Sequence, residues 1–411
     1  MTLTEELRWR GLVKDVSSEE LEKKLNNDKL TFYWGTDPTA DSLHLGHYSS
    51  LVTAKRLANA GHQFILLVGG ATALIGDPRP TAEREIISKE TVANNIKSIQ
   101  EQVKALVNKN TIFVNNYDWM KDFTFLDFLR DIGKYINVNY MLNKDIISRR
   151  LESGITFAEF SYTLMQGYDF VHLKREYGCT LQAAGSDQWG NITTGIELAR
   201  KMDNDEVYGF TMPLILDAQG KKFGKSEGNA LWLNKEKTSP YEIYQYLINT
   251  DDSKVIEYLK VFTFLTKEEI EEIEKKFNEK PEERLAQKTL AYEVVKDIHG
   301  KEAAEKSIQI SQALFSGNVK NLSLKDIEQG FKDVPTKKIE ENSTLIDVLV
   351  NNEIVSSRRE AREFLKAGSI TLNGDKVEDE NMIITKSLAI EGKVIVLRRG
   401  KKKYTILKIE D

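Results

Sequence analysis

The chain of 411 residues is long enough for two or three domains, and 40% of its residues are hydrophobic, which is enough for sizeable cores. Its single cysteine, Cys179, excludes an intrachain disulfide and a zinc site built from cysteines. No apolar run approaches a membrane span, and the first residues do not resemble a signal peptide, so we expect a cytoplasmic protein with no membrane partner. The formal net charge of −5, taken alone, argues against a nucleic-acid partner.

The first informative string, HLGH at residues 44–47, lies between a predicted strand and a predicted helix. Residues 30–34 are rich in β-formers, and residues 45–58 carry apolar side chains at helical spacing, with Asp41 and Ser42 as candidate N-caps. The two histidines therefore fall near the start of a helix, where free N–H groups and the helix dipole favour anions. The alternative is that one histidine caps the helix and the other packs.

The second string is KFGKS at residues 222–226. It follows a predicted strand at 210–216 and a turn at 217–220. Glycines at 220, 224 and 228 favour mobility of this loop, and lysines at 221, 222 and 225 make it cationic, so it can close over a group that gains negative charge. A lysine-rich hairpin tip that serves only solubility is the alternative. Taken together, the two strings indicate a site that handles a polyphosphate.

The remaining chain is predicted to be helical and then mixed. From residue 240 to about residue 310, apolar residues recur at helical spacing among many Glu and Lys, which predicts a helical domain. The tail, residues 341–411, has 13 basic and 12 acidic residues, so the negative charge lies before it. Its basic groups cluster on a predicted helix and at a predicted hairpin tip, a pattern that suits a phosphate backbone; a solvated charged face is the alternative. These groups include Arg358, Arg359, Arg362, Lys366, Arg398 and Arg399.

Longer strings accompany these motifs, at residues 33–43, 69–78 and 185–191. With HLGH and KFGKS, they make the chain resemble the bacterial-type tyrosyl-tRNA synthetases, a family of class I aminoacyl-tRNA synthetases, over nearly its whole length. The tail also resembles a small RNA-binding module first known from a ribosomal small-subunit protein, through residues 356–361 and 372–374.

The resemblance implies an α/β fold. We expect a doubly wound parallel sheet, the Rossmann-like class I synthetase catalytic domain, followed by a helical domain and a small α+β RNA-binding domain. The expected bounds are 1–235 for the catalytic nucleotide- and tyrosine-binding domain, 236–332 for the helical anticodon-binding domain, 333–340 for a linker, and 341–411 for the C-terminal RNA-binding module. A homodimer is also implied, and the crowded apolar residues between 123 and 132 favour it, with ordinary core as the alternative.

The implied activity is that of a ligase. L-tyrosine reacts with ATP to give tyrosyl-adenylate and pyrophosphate, and the tyrosyl group then passes to the 3′ end of tRNA(Tyr). Because the attacking carboxylate is already ionised at pH 7, the first step needs positioning and charge stabilisation rather than a general base. Magnesium accompanies ATP as part of the substrate complex, and no tightly bound protein metal is expected. A tryptophanyl-tRNA synthetase and an inactive RNA-binding regulator are the alternatives.

The resemblance also implies roles for individual residues. The catalytic set is Thr39, His44, His47, Lys222, Lys225 and Arg84. The substrate set is Tyr33 and Asp169 at the phenol, Tyr162, Gln166 and Asp77 at the ammonium group, and Gln188. The ATP set is Gly35, Asp37, Gly46, Gly185, Asp187 and Lys225. The tail cations form the RNA-binding set. Without the resemblance, Asp169 would be read as a helix-pairing residue and Tyr162 as core.

Overall fold

A computed structural model describes residues 1–78, 87–151, 154–226, 229–332, 334–400 and 403–410; the side chains of Ile146, Lys225 and Ser226 lie outside this description. The described residues form two compact units. The first comprises residues 1–238 and 250–290, and the second comprises residues 239–249 and 291–411. None of the described helices is long and apolar enough to cross a membrane.

The helices and strands follow one another in chain order. The helices are α1 (Leu3–Trp9), α2 (Glu20–Asn27), α3 (Leu45–Asn59), α4 (Lys89–Leu106), α5 (Tyr117–Met120), α6 (Phe125–Asp131), α7 (Val138–Leu142), α8 (Asp145–Ser148), α9 (Phe157–Tyr177), α10 (Trp189–Asp203), α11 (Pro240–Ile248), α12 (Val255–Phe262), α13 (Lys267–Glu279), α14 (Leu285–His299), α15 (Lys301–Ser316), α16 (Leu324–Gly330), α17 (Leu345–Asn351) and α18 (Arg358–Lys366). The strands are β1 (Asp15–Val16), β2 (Thr31–Thr36), β3 (Gln63–Val68), β4 (Ile112–Asn115), β5 (Leu181–Gly185), β6 (Tyr208–Met212), β7 (Lys225–Ser226), β8 (Asn229–Ala230), β9 (Thr336–Ile339), β10 (Ile370–Leu372), β11 (Asp375–Lys376), β12 (Val394–Arg399) and β13 (Lys403–Ile409).

The sheet of the first unit has the strand order β1-β6-β5-β2-β3-β4. All neighbouring pairs are parallel except β1 with β6. Strand β2 lies between β3 and β5, so the chain order reverses there, and ligands of such sheets bind beyond the carboxyl ends of the strands at this reversal. The predicted doubly wound parallel sheet is confirmed.

Helix α9 begins at a buried ion pair. Arg150 donates to both oxygens of Glu159 at 2.9 and 3.0 Å, and both side chains are almost fully buried. Glu159 also belongs to a capping box with Thr156, which satisfies free N–H groups at the helix start. The pair therefore fixes the beginning of the helix that carries Tyr162, Gln166 and Asp169.

The second unit contains a sheet of order β11-β10-β12-β13-β9 with its own apolar core. The predicted helix at 358–366 is α18, and the predicted basic hairpin is β12 and β13, joined through Gly400. Four residues of the expected linker, Thr336–Ile339, form β9 and pair with β13. A second cluster joins residues of α11, α15 and α16 to β12 and β13. The domain bounds given above stay a prediction.

Candidate active site

A cavity of about 950 Å³ lies in the first unit, beyond the carboxyl ends of β2 and β5. It brings together most of the residues that the sequence singled out. Those lining it are Tyr33, Gly35, Asp37, Thr39, His44, Gly46, His47, Asp77, Tyr162, Gln166, Asp169, Gly185, Asp187, Gln188 and Lys222. Arg84 lies outside the described residues. The side chain of Lys225 does too, while its backbone pairs with Ala230.

One wall of the cavity has two buried polar groups, Tyr33 and Asp169, each 1% exposed. The Tyr33 hydroxyl has no hydrogen-bond partner among the residues that the structure describes. Burial, with the nearby Asp169 and Cys179 adding to it, raises the pKa of Tyr33 well above its usual value, so the phenol stays protonated. A buried hydroxyl without a partner is costly, which suits a site completed by a polar ligand group.

Asp169 is held by two neutral donors. Asn116 Nδ2 donates to one carboxyl oxygen at 3.0 Å, and Trp119 Nε1 donates to the other at 2.9 Å. Burial raises the pKa of Asp169 to about 8; the two donors oppose this rise, and Asp37 adds to it. The carboxyl therefore takes up a proton far more readily than an exposed aspartate does.

Three residues that support this wall were not predicted from the sequence: Thr72, which lines the cavity, and Asn116 and Trp119, which donate to Asp169. Asn116 Nδ2 also donates to Thr72 Oγ1 at 3.1 Å, and Thr72 Oγ1 donates to Asp37 at 2.7 Å. Asn116 comes directly after β4, which neighbours β3 in the sheet. Its position at the carboxyl end of a parallel strand was the available signal.

Carboxylates and amides line an adjacent part of the cavity. Tyr162 donates to Asp37 at 2.9 Å, and Gln188 Nε2 donates to Asp77 at 3.1 Å. Gln166 Nε2 donates to Gln188 at 3.2 Å, and its own Oε1 is buried without a hydrogen-bond partner in the described part of the chain. Two carboxylates and an available carbonyl oxygen suit a small cation such as an ammonium group.

The predicted N-caps of α3, Asp41 and Ser42, are wrong, because His44 is the N-cap. Gly46 N–H donates to Nδ1 of His44 at 3.1 Å, and His44 N–H donates to Nδ1 of His47 at 3.3 Å. The stacked rings have centroids 3.8 Å apart. Loss of water contact, with His44 nearby, lowers the pKa of His47 to about 3. Since Nδ1 accepts in both rings, the neutral tautomers carry their proton on Nε2 and are donors there.

The HLGH and KFGKS strings lie against each other. Gly224 has a φ of +84°, and a Cβ placed on it would lie 2.6 Å from the nitrogen of Gly46. Leu231 N–H donates to the carbonyl oxygen of Gly224 at 3.0 Å, and Leu45 N–H donates to that of Leu231 at 2.8 Å. The exposed Lys222 and the two histidines therefore line one cavity, which is the geometry that the polyphosphate interpretation requires.

Of the tail cations, Arg358, Arg359, Arg362 and Lys366 are exposed, whereas Arg398 and Arg399 are half-buried, and most of the set are engaged within the tail. The ion pairs and contacts are Arg358 with Asp347, Arg359 with Glu363, Arg362 with Glu380, and Arg399 with the carbonyl oxygen of Ile354 and the ring of Phe364. Exposed ion pairs of this kind are weak, so a phosphate can replace the carboxylate. The described residues contain no group of three His, Cys, Asp or Glu side chains arranged to hold a metal ion.

Comparison with known families agrees with this geometry. Residues 25–316 match the family described as tRNA synthetases class I (W and Y). Residues 326–407 match the tyrosine–tRNA ligase SYY-like C-terminal domain. The first match covers more than half of the chain, so the chain belongs to the class I tRNA synthetases of the tryptophan and tyrosine group.

Relatives that match over their full length show to which part of this group the chain belongs. The tyrosine–tRNA ligases of Streptococcus pneumoniae (strain CGSP14) and Streptococcus gordonii are each 49% identical over 416 residues, which is 99% of this chain and 100% of the relative. A solved C-terminally truncated mitochondrial tyrosyl-tRNA synthetase of Aspergillus nidulans has a TM-score of 0.70 at 33% identity, over 76% of this chain and 94% of that one. Within the group, the chain belongs to the tyrosine–tRNA ligases, and the predicted resemblance is confirmed.

The raised pKa of Asp169 predicts a pH-dependent stability. In the unfolded chain an aspartate has a pKa of about 3.9, so between that value and about 8 the folded protein holds the extra proton. The free energy of unfolding therefore falls as pH rises through this range. Asp169→Asn removes the titration, and we expect its stability relative to the unaltered protein to increase by about 1 kcal/mol or more from acidic to alkaline pH.

Denaturant unfolding at several pH values measures this difference. Asp122→Asn, at an exposed position, controls for the loss of a carboxylate as such. Parallel pH profiles for Asp169→Asn and the unaltered protein would show that the pKa of Asp169 is the same in the folded and unfolded states, which would contradict the prediction.

Proposed function

We infer that the protein activates L-tyrosine with ATP and transfers the tyrosyl group to tRNA(Tyr). The observation that carries this proposal is the buried pair of Tyr33 and Asp169 in the cavity that also contains the HLGH histidines. One end of the cavity then takes a phenol, and the other takes a nucleotide. The family to which the chain belongs supports both halves of the proposal.

The phenol end selects the amino acid. The hydroxyl of tyrosine would meet the Tyr33 hydroxyl and the Asp169 carboxyl. Phenylalanine would leave both groups buried without that partner. Tyrosine-specific synthetases as a class reject phenylalanine by ~10⁴ or more, and this magnitude belongs to the class rather than to the geometry of this cavity. Tyr162, Gln166 and Asp77 would hold the ammonium group of the substrate, with Gln188 beside them.

In the first step, a carboxylate oxygen of tyrosine forms a bond to the α-phosphorus of ATP, and the bond to the bridging oxygen of the departing pyrophosphate breaks. Magnesium enters and leaves with the phosphates as part of the substrate. Thr39, His44 and Lys222 would contact the departing phosphates, and His47 would lie against the ribose. The neutral Nε2–H of His47 would donate to oxygen without the desolvation cost of a buried ion.

The residues that contact the nucleotide are proposed from the family to which the chain belongs. Gly35, Asp37, Gly46, Gly185 and Asp187 would surround the adenosine, and their placement around one cavity supports this assignment. Arg84 and Lys225 would assist at the phosphates. In the second step a ribose hydroxyl at the 3′ end of tRNA attacks the tyrosyl carbonyl, and AMP leaves. The expected localisation of the protein is the cytoplasm, where ATP and tRNA are available.

An exposed apolar surface supports the proposed homodimer. Phe125 and Leu126 of α6 are 67% and 74% exposed, and Val138 and Phe157 are also largely exposed. Phe123, Phe128 and Ile132 instead pack into the core, so ordinary core explains only part of the apolar stretch. Several large exposed apolar side chains within one unit are unusual for a surface in contact with water, and a second copy of the chain would cover them.

Amino-acid-dependent exchange of pyrophosphate with ATP tests the proposed function. We expect exchange with tyrosine and none above background with tryptophan or phenylalanine, because only tyrosine presents a phenol to Tyr33 and Asp169. Exchange with tryptophan alone would select a tryptophan-specific enzyme, and the absence of all exchange would favour an RNA-binding regulator.

Tyr33→Phe sharpens the same test. It should lower the preference for tyrosine over phenylalanine more than it lowers the maximal rate with tyrosine, since only the hydroxyl contact is lost. Asp169→Ala should lower the preference further because it removes the carboxyl that meets the phenol and also leaves Asn116 and Trp119 without their acceptor. An unchanged preference in Tyr33→Phe would mean that Tyr33 does not meet the phenol.

The proposed RNA-binding role of the tail cations is tested by the salt dependence of tRNA binding. Replacing Arg358, Arg362, Arg398 and Arg399 with Ala should leave tyrosine-dependent exchange intact. The slope of log affinity for tRNA against log salt should flatten by about 2 to 3 units, because fewer counterions are released. Lys23, Lys97, Lys109 and Lys121 are exposed lysines of the first unit outside the region expected to bind the anticodon, and replacing them together provides a charge-matched control. An unchanged slope in the arginine variant would make the tail cations a solvated surface.

The dimer is tested by sedimentation. The unaltered protein should sediment with the mass of two chains, and Leu126→Asp should sediment as one, because a buried charge without a partner opposes association. Ile383→Asp, at a half-exposed apolar position of the second unit, is the control and should remain a dimer. A single-chain mass for the unaltered protein would contradict the proposal.

A further inference from the structure

Helix α12 contacts both sides of the loop that carries Lys222. The buried ring of Phe223 has its centroid 4.5 Å from that of Phe262 and 4.8 Å from that of Tyr258. The hydroxyl of Tyr258 donates to the carbonyl oxygen of Leu216 at 2.9 Å. Leu216 pairs with Lys222 across the hairpin. One side of the hairpin is therefore held by ring packing and the other by a hydrogen bond.

The same loop is enclosed on another side by the start of α3. A Cβ on Gly224 would lie 2.6 Å from the nitrogen of Gly46, and a Cβ on Gly46 would lie 3.3 Å from the carbonyl oxygen of Phe223. Contacts this close leave the backbone beside Lys222 little room to shift towards the histidines. The loop is therefore held between the start of α3 on one side and α12 on the other.

Two buried guanidiniums fix α12 in place. Arg56 Nη2 donates to the carbonyl oxygen of Thr263 at 2.7 Å, and Arg10 Nη1 donates to that of Lys260 at 2.9 Å. Both acceptors lie at the C-terminal end of α12, where carbonyls lack helical partners and the dipole favours a cation. Glu6 contacts Arg10 at 2.7 Å and Arg56 at 3.4 Å. Through Arg56, α12 is tied to the helix that begins at the HLGH string.

We propose that α12 sets the position of the Lys222 loop relative to the HLGH histidines, and that Tyr258 is a positioning residue for the activation of tyrosine. This inference rests on the proposed function. A charged group stabilises a transition state best when it is already in place. Tyr258 does not line the cavity, so its influence on the rate passes through the loop that it holds.

Tyr258→Phe removes the hydrogen bond to Leu216 and keeps the ring packing. We expect single-turnover formation of tyrosyl-adenylate to slow by about threefold to tenfold, the range for one hydrogen bond. The Kd for tyrosine should not change, and that for ATP should change by less than about twofold, since the loss falls on the transition state. Tyr404→Phe is the matched control, because the Tyr404 hydroxyl also donates to a backbone carbonyl, that of Leu314, at 3.2 Å in the second unit.

A double variant separates positioning from a general structural effect. If Tyr258 acts through Lys222, Tyr258→Phe has no further effect on the rate in a Lys222→Ala background. Equal slowing in both backgrounds would overturn the proposal, and so would an unchanged rate in Tyr258→Phe alone. If the unaltered protein showed no tyrosine-dependent exchange, the proposed function would fail first, and this inference with it.

Discussion

Backbone pairing between residues 43–45 and 231–233 determines where the two signature strings lie. Leu45 N–H donates to Leu231, and Leu233 N–H donates to Leu43, each at 2.8 Å. This pairing keeps the chain extended until His44, so α3 begins there and the imidazoles take the role of the cap. Leu231 also bonds to Gly224. One ladder of hydrogen bonds therefore aligns the histidines with the Lys222 loop, although His44 and Lys222 are 178 positions apart in the chain.

At the phenol end of the cavity, the carboxyl of Asp169 is buried with neutral hydrogen-bond donors rather than with a positively charged partner. Asn116 and Trp119 give Asp169 two neutral donors, and these do not offset the loss of water, so its pKa stays high. A phenol that enters can donate to Asp169 and accept from Tyr33, and both buried groups are then satisfied. Burial of these two polar groups costs free energy, and a bound tyrosine offsets that cost through its hydroxyl. Phenylalanine has no hydroxyl and cannot offset it, so the site binds tyrosine in preference to phenylalanine.

The sequence predicted the site mainly through a family resemblance that short strings carry. HLGH and KFGKS are local and indicated a polyphosphate site by themselves, whereas the sheet and much of the cavity wall were predicted from the resemblance. Thr72, Asn116 and Trp119 were missed because their partners are far away in the chain; Asn116 and Asp169 are 53 residues apart. The N-cap of α3 was misplaced for the same reason: local propensity favoured Asp41 and Ser42, whereas the start of the helix is decided by pairing with residues 231–233.

Helical periodicity between residues 240 and 310 predicted helices but could not assign them to a core. Residues 250–290 belong to the first unit, where the carbonyls at the end of α12 bind Arg10 and Arg56. Residues 239–249 belong to the second, where α11 contributes Tyr241 to a cluster with β12 and β13. The assignment of these helices to the two units depends on buried partners outside residues 240–310. The periodicity of the stretch itself carries no information about those partners. The region expected to bind the anticodon therefore also contains α12, which packs against the Lys222 loop, and α11, which contributes to the core that contains β12 and β13.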